Sequence, residues 1–242
     1  MLDILYLDDY LAAVTKPPGL LVHRTGLDAG ETRFALQMLR DQLGRPVWPA
    51  HRLDKGTSGV LLFALNADTA RLLGQAFESG DGLQKTYRAL VRGWPADEGL
   101  IDHPLKRMPD DMRTERLEVQ PAQSRFATLR RFELPLSQQG FASTRCAEVA
   151  LQPLTGRRHQ LRRHMKHIAH PILGDATHGK GPLNRAVADL IGLQRLWLHA
   201  ESLALTHPIS GQLLQLASPL PAEWTLWDTF APAQPTVIPG LP

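Results

Sequence analysis

Six consecutive apolar residues, Val60-Leu61-Leu62-Phe63-Ala64-Leu65, follow Gly59 and constrain the fold of this chain more than any other stretch. The run is too short for a buried helix and shows no polar alternation, so it predicts a buried strand. Elements of both kinds surround it. Ile4–Tyr6 and Leu11–Val14, split by Asp8-Asp9, read as a strand pair with a tight turn, ended by Lys16-Pro17-Pro18-Gly19. Thr32–Leu43 has apolar positions near helical spacing and a stop at Gly44, and Ala67–Phe77 reads as a helix with Asn66 as N-cap. Lys85–Val91, Ser124–Phe132, Ala147–Leu151, Leu196–Leu205 and Leu213–Leu216 read as strands, and Gln160–Ile168 as a helix. Strands and helices intermix without regular alternation, which favours an α+β fold over a doubly wound sheet.

The 242 residues, 43% of them hydrophobic, suffice for a substantial core. We read residues 1–230 as a single domain and the proline-rich residues 231–242 as a poorly ordered tail. Cys146 is the only cysteine, which excludes an intrachain disulfide framework and a cysteine-rich metal site. The first residues lack a basic segment followed by a long apolar run, and no stretch approaches the roughly 20 apolar residues of a membrane span. The expectation is a cytoplasmic protein with no membrane partner.

The formal net charge of +3 is unevenly spread. Between Leu151 and Arg185, seven lysines and arginines (157, 158, 162, 163, 166, 180 and 185) stand against one acid, Asp175, so that segment is +6 and the remainder sums to −3. A concentrated positive patch suits a polyanion, although the same charges could form a solvated helix face.

The densest segment is His51-Arg52-Leu53-Asp54-Lys55-Gly56-Thr57-Ser58-Gly59, directly before the buried strand. A rigid strand can hold a carboxylate from such a loop at a cleft; the same residues could equally form a polar turn capped by Asp54. Other chemistries fit less well. Gly56-Thr57-Ser58-Gly59-Val60 lacks the second glycine of a nucleophile elbow, because Val60 stands there. His159, His164, His167 and His170 lack a His-Glu-x-x-His run, and Arg158, Arg162, Arg163 and Lys166 beside them would repel a cation, so no metal is expected. No glycine-rich phosphate loop occurs, so no nucleotide cofactor is expected either.

His51-Arg52-Leu53-Asp54 followed by Thr57-Ser58-Gly59 resembles the signature of the RluA-type pseudouridine synthases. Three further segments resemble that family in its own order. They are Lys16-Pro17-Pro18-Gly19-Leu20-Leu21-Val22-His23, then Lys85-Thr86-Tyr87-Arg88-Ala89-Leu90-Val91, then Thr155-Gly156-Arg157-Arg158-His159-Gln160-Leu161-Arg162 with His170-Pro171-Ile172-Leu173-Gly174-Asp175. The resemblance runs from about residue 4 to residue 217. Arg162-Arg163-His164, His178-Gly179 with Asn184-Arg185, and Gly192-Leu193-Gln194-Arg195-Leu196 followed by Leu198-His199-Ala200 resemble its tRNA-acting branch, whose substrate is uridine 65 of tRNA. The catalytic motifs begin at the first residues, so no N-terminal S4-like RNA-binding module is expected.

The resemblance implies the pseudouridine synthase fold, a mixed and mostly antiparallel central sheet flanked by helices, with a cleft across the sheet. It implies a cofactor-free isomerase, working as a monomer on tRNA, with ribosomal RNA or another tRNA uridine as the alternative target. A non-catalytic RNA-binding module is the rival of a different class. Asp54 is then the essential carboxylate, by covalent addition or by assisting elimination. A carboxylate in a pocket needs a fixed cation to stay ionised, and the resemblance assigns that part to Arg162, whose guanidinium can grip two oxygens. Tyr87 packs on the target uracil and can assist proton transfer at C5. Arg52 fills the gap left by the flipped nucleotide and Leu198 lines the uracil pocket. Arg157, Arg158, Arg163 and Lys166 meet phosphates.

Overall fold

The apolar run is a strand, and Ser58–Ala64 is buried at every position. The computed structural model describes residues 1–24, 30–80, 82–108, 118–137 and 140–230, with the backbone of Pro232–Gln234. In chain order the elements begin with β1 (Asp3–Leu7), β2 (Leu11–Lys16), α1 (Ala35–Leu43), β3 (Trp48–Pro49), β4 (Ser58–Ala64), α2 (Ala67–Ser79) and β5 (Gln84–Arg92). There follow β6 (Glu98–Asp102), β7 (Leu105–Lys106), β8 (Val119–Gln120), β9 (Gln123–Leu134), β10 (Thr144–Pro153), α3 (Gln160–His167) and α4 (Gly181–Ile191). Strands β11 (Leu198–Thr206) and β12 (Leu213–Ala217), a 3-10 helix (Ala222–Thr229) and β13 (Pro232–Gln234) complete the described elements. The α+β expectation holds, with mixed and mostly antiparallel strands.

The chain divides into two units. The first comprises Met1–Thr86, Lys106–Glu118 and His199–Pro219; the second comprises Tyr87–Leu105, Val119–Leu198 and Leu220–Pro242. In the first, β1, β2, β4 and β11 lie side by side in that order, with β12 on β11 and β3 on β4. All pairings there are antiparallel except β4 with β11, where Ser58 faces His199 and Gly59 faces Ala200. A Cβ on Gly59, which has φ +114, would come 2.1 Å from the Ala200 carbonyl oxygen, so only glycine permits this approach. Leu11, Ala13, Val60, Leu62, Leu73, Leu203, Leu205 and Leu216 form the core of the unit. Helix α2 starts as its sequence dictates, with Asn66 Oδ1 accepting the Thr69 N–H at 2.8 Å. Helix α1 starts at Ala35 rather than Thr32, because Phe34 is extended (φ −136) and bridges to Leu21.

In the second unit β5, β10, β9 and β13 are adjacent in that order, with β6 also on β9, and every pairing is antiparallel. The two-residue period of β10 sorts its side chains onto opposite faces. Ala147, Val149 and Leu151 pack with Leu161 and Met165 of α3. Cys146 packs with Leu183 and Val187 of α4 and with Trp197, Trp224 and Trp227. Neither α4 nor the 3-10 helix is anticipated by the sequence reading. Gly181-Pro182 looks like a turn, yet proline in the first helical turn forfeits no intrahelical bond, and Gly192 (φ +73) ends the helix. Within the anticipated tail, Pro232–Gln234 pairs with β9. Residues 231 and 235–242 lie outside the described residues. Among the described residues no helix is long and apolar enough to cross a membrane.

Candidate active site

The segment before β4 is a turn held at several points within the first unit. The Thr57 N–H donates to the Asp54 carbonyl oxygen at 3.0 Å, closing the turn Asp54-Lys55-Gly56-Thr57. Arg52 is exposed, Asp54 is half-buried, and Leu53 between them is buried. Lys16 has no exposed surface, and its ammonium donates to the carbonyl oxygens of Pro17 (2.9 Å), Leu20 (2.8 Å) and Lys55 (3.2 Å). The Gly19 N–H reaches the same Lys55 oxygen at 2.8 Å. The lysine of the Lys-Pro-Pro-Gly segment is thus a clamp that ties its own loop to the Asp54 turn. A buried ammonium is tolerated because carbonyl dipoles surround it.

His51 anchors the other end. Its Nε2 accepts the Leu62 N–H at 3.2 Å, and its ring stacks on Phe77 with centroids 5.0 Å apart. The Lys85 ammonium lies 4.7 Å from the centroid of the same Phe77 ring. Desolvation of the ring, together with the Lys85 charge, pushes the His51 pKa down to about 3, so the imidazole is neutral and Nε2 is an acceptor. Burial pushes Lys85 down to about 8.

The second unit holds Tyr87, Arg162 and Leu198. Tyr87 sits on β5 opposite Leu151 and packs against the cluster that contains Leu161 and Leu198. Arg162, on α3, is 8% exposed and grips Asp175, which is 1% exposed. Nε donates to Asp175 Oδ2 at 2.8 Å and Nη2 to Oδ1 at 2.7 Å. Asp175 Oδ1 also accepts the N–H groups of Thr177 (2.9 Å) and His178 (2.8 Å). Asn184 closes the loop, donating from Nδ2 to the Asp175 carbonyl oxygen and accepting the Gly174 N–H. The segments around residues 162, 175, 178 and 184 therefore converge on one buried ion pair.

Sequence reasoning named Arg162 and missed Asp175 as its partner. The signal was available, since a lone acid in a strongly basic segment is where a buried pair belongs. Among the basic residues, Arg157 and Lys166 are exposed, while Arg158 and Arg163 are half-buried. The Arg157 Nε donates to the Pro121 carbonyl oxygen at 3.1 Å. Two histidines weighed as metal ligands are structural: His164 bonds Ser124 Oγ and the His103 carbonyl oxygen, and His170 bonds the Arg92 carbonyl oxygen. His51, Lys16, Ser58 and His199 stand in the quoted motifs, but sequence reasoning gave none of them a role.

The family model for RNA pseudouridylate synthase matches residues 10–167. The chain is 48% identical over 228 residues to tRNA pseudouridine synthase C of Haemophilus ducreyi, covering 93% of each chain. It is 46% identical over 228 residues to the protein of that name from Vibrio cholerae, again covering 93% of each. Among solved structures it resembles human RNA pseudouridylate synthase domain containing 1, with TM-score 0.75 and 25% identity over 99% of this chain and 91% of that one. It also resembles domain containing 4, with TM-score 0.71 and 28% identity over 97% and 95%.

Proposed function

The chain belongs to the RNA pseudouridylate synthase family, and on that premise we propose that it isomerises a uridine of tRNA, uridine 65, to pseudouridine. The observation that carries the tRNA reading is the 48% identity to a named tRNA pseudouridine synthase over 93% of both chains.

The reaction breaks the N1–C1′ bond, turns the uracil and joins C5 to C1′. The C5 proton leaves and N1 gains one, so the product has the atoms of the substrate and no electrons change hands. A stacked base cannot turn, so the nucleotide must be extruded first. Asp54 is the catalytic carboxylate, on a turn already fixed by Lys16 and His51. Arg162 supplies the fixed positive charge that such a carboxylate needs, and its fork to Asp175 sets the guanidinium plane. Tyr87 stacks on the flipped uracil and Leu198 supplies apolar wall. Arg52 fills the vacated stack, and Arg157, Arg158, Arg163 and Lys166 meet phosphates.

The test is tritium release from tRNA labelled with [5-³H]uridine. Asp54→Asn is expected to abolish release while the variant still binds tRNA, and release at the wild-type rate would remove Asp54 from the chemistry. Wild-type release should also disappear from a transcript carrying cytidine at position 65. Persistence there would move the target to another uridine.

A further inference from the structure

Ser58 and His199 are fully buried and face each other in the parallel pairing of β4 with β11. Ser58 Oγ lies 2.9 Å from His199 Nδ1, and His199 Nε2 lies 3.1 Å from the Ser218 carbonyl oxygen. A carbonyl oxygen can only accept, so Nε2 carries a proton. In the neutral ring this tautomer leaves Nδ1 as an acceptor and makes the Ser58 hydroxyl the donor. Ser218 continues the chain of contacts through its own hydroxyl, 3.1 Å from Thr15 Oγ1 on β2. The relay begins directly after Thr57, whose N–H closes the turn on Asp54.

We propose that Ser58 and His199 are a positioning pair for Asp54, fixing the end of its turn through a hydroxyl–imidazole–carbonyl relay. Neither residue touches substrate. With Nδ1 as acceptor the pair resembles the serine–histidine half of a hydrolase site, but here its second nitrogen is spent on a backbone carbonyl and the hydroxyl has no exposed surface. It therefore serves geometry and not attack. The length of the relay matters because Ser58 directly follows the turn, so the Ser58–His199 contact fixes where that end of the turn lies. Displacing a reacting group by an ångström can cost on the order of 100-fold in rate. The inference rests on the catalytic reading of Asp54.

The imidazole can be taken apart by substitution. In His199→Asn the amide oxygen can stand in for Nδ1 and keep the acceptor for Ser58. In His199→Gln the amide nitrogen can stand in for Nε2 and keep only the donor to Ser218. With tritium release from labelled tRNA as readout, Ser58→Ala and His199→Gln should each lower kcat by about 10–100-fold, with KM within about twofold. His199→Asn should lose clearly less, and Ser58→Ala/His199→Gln no more than either single change, as for two members of one contact. Folding is checked by circular dichroism and melting. A folded Ser58→Ala with wild-type kcat, losses that multiply in the double variant, or a change confined to KM would each overturn the pair. If Ser58→Ala does not fold, long-range ¹H–¹⁵N spectra of the wild type at pH 7 decide instead: a proton on Nε2 supports the relay, and a proton on Nδ1 alone refutes it. Wild-type protein that releases no tritium from any tRNA would refute the catalytic reading itself, which an active wild type with an active Ser58→Ala would not.

Discussion

Asp175 carries two opposed influences. Burial pushes its carboxyl up, while the bond from Arg162, the His178 N–H, the Arg162 charge and the Thr177 N–H pull it down, and the result lies below the ordinary value of 3.8. A group lowered in the folded state contributes stability that is fully present above its unfolded pKa and is lost as pH falls through the folded one. Asp175→Asn should therefore melt lower than wild type at neutral pH, with a gap that narrows below about pH 4. A gap independent of pH would deny the ion pair its role. Arg162→Met should be harsher, because it strands a buried carboxylate, at about 3–5 kcal/mol in urea unfolding. Arg162→Lys keeps the charge and loses the fork, and should fall between. Sequence marked the lone acid, Asp175, but not which of the seven lysines and arginines of the segment pairs with it.

His51 answers acid in a different window. Its unfolded pKa is near 6.5 and its folded pKa about 3, so the stability that goes with the neutral ring is intact above 6.5 and is lost as pH falls from there towards 3. His51→Gln offers the Leu62 N–H an amide oxygen and does not titrate. Its melting temperature should fall less than that of wild type between pH 6.5 and 4, and parallel curves would show that the ring is not desolvated.

At the scale of elements, α3 depends on one residue at its start. Gln160 accepts from Thr155 Oγ1 (2.7 Å) and the Arg157 N–H (3.0 Å), and donates to the Gln123 carbonyl oxygen and to Ser124 Oγ (2.9 Å each). It is buried, so Gln160→Leu leaves several partners without water to replace it. We expect a loss of about 2–4 kcal/mol, read from the urea midpoint, together with a fall in kcat, because Arg162 lies one half-turn further on. An unchanged midpoint would mean the turn is held from elsewhere. This dependence shows which elements sequence can disclose. Helix α2 was legible because its cap, Asn66, is adjacent in sequence to its apolar stripe; its last turn, to Ser79 before Gly80, was not read. Strand β4 was legible because burial on both faces leaves an unbroken apolar run. Helix α4 was not, because only Leu183 and Val187 are buried along it and its opening glycine and proline also suit a turn. The Asp54 turn was legible only through its resemblance to a family. Lys16, which bonds it, lies 38 positions before Asp54, and His199, which bonds the Ser58 that follows it, lies 145 after, beyond any local pattern.

Across the whole chain, net charge understates what the protein offers a polyanion. The +3 total hides a +6 segment from Leu151 to Arg185 set against −3 elsewhere. Within it burial makes a division that sequence cannot. Arg162 is buried and bonds Asp175, whereas Arg157, three residues before α3, and Lys166, near its end, are exposed. Each cation that meets a phosphate releases counterions, so the logarithm of tRNA affinity should fall with the logarithm of salt by roughly 0.7–0.9 per contact. Arg157→Ala and Lys166→Ala should each make that slope shallower by about this amount. Affinity at low salt should drop while single-turnover release at saturating tRNA stays near the wild-type rate, since neither residue holds the Asp54 turn or the Arg162–Asp175 pair. Arg162→Met is the contrasting case, with a lower rate at saturation and a salt slope that hardly moves. Were Lys166→Ala to slow the saturated rate and spare the slope, Lys166 would belong to catalysis and the phosphates would have to be met by other residues of the basic segment.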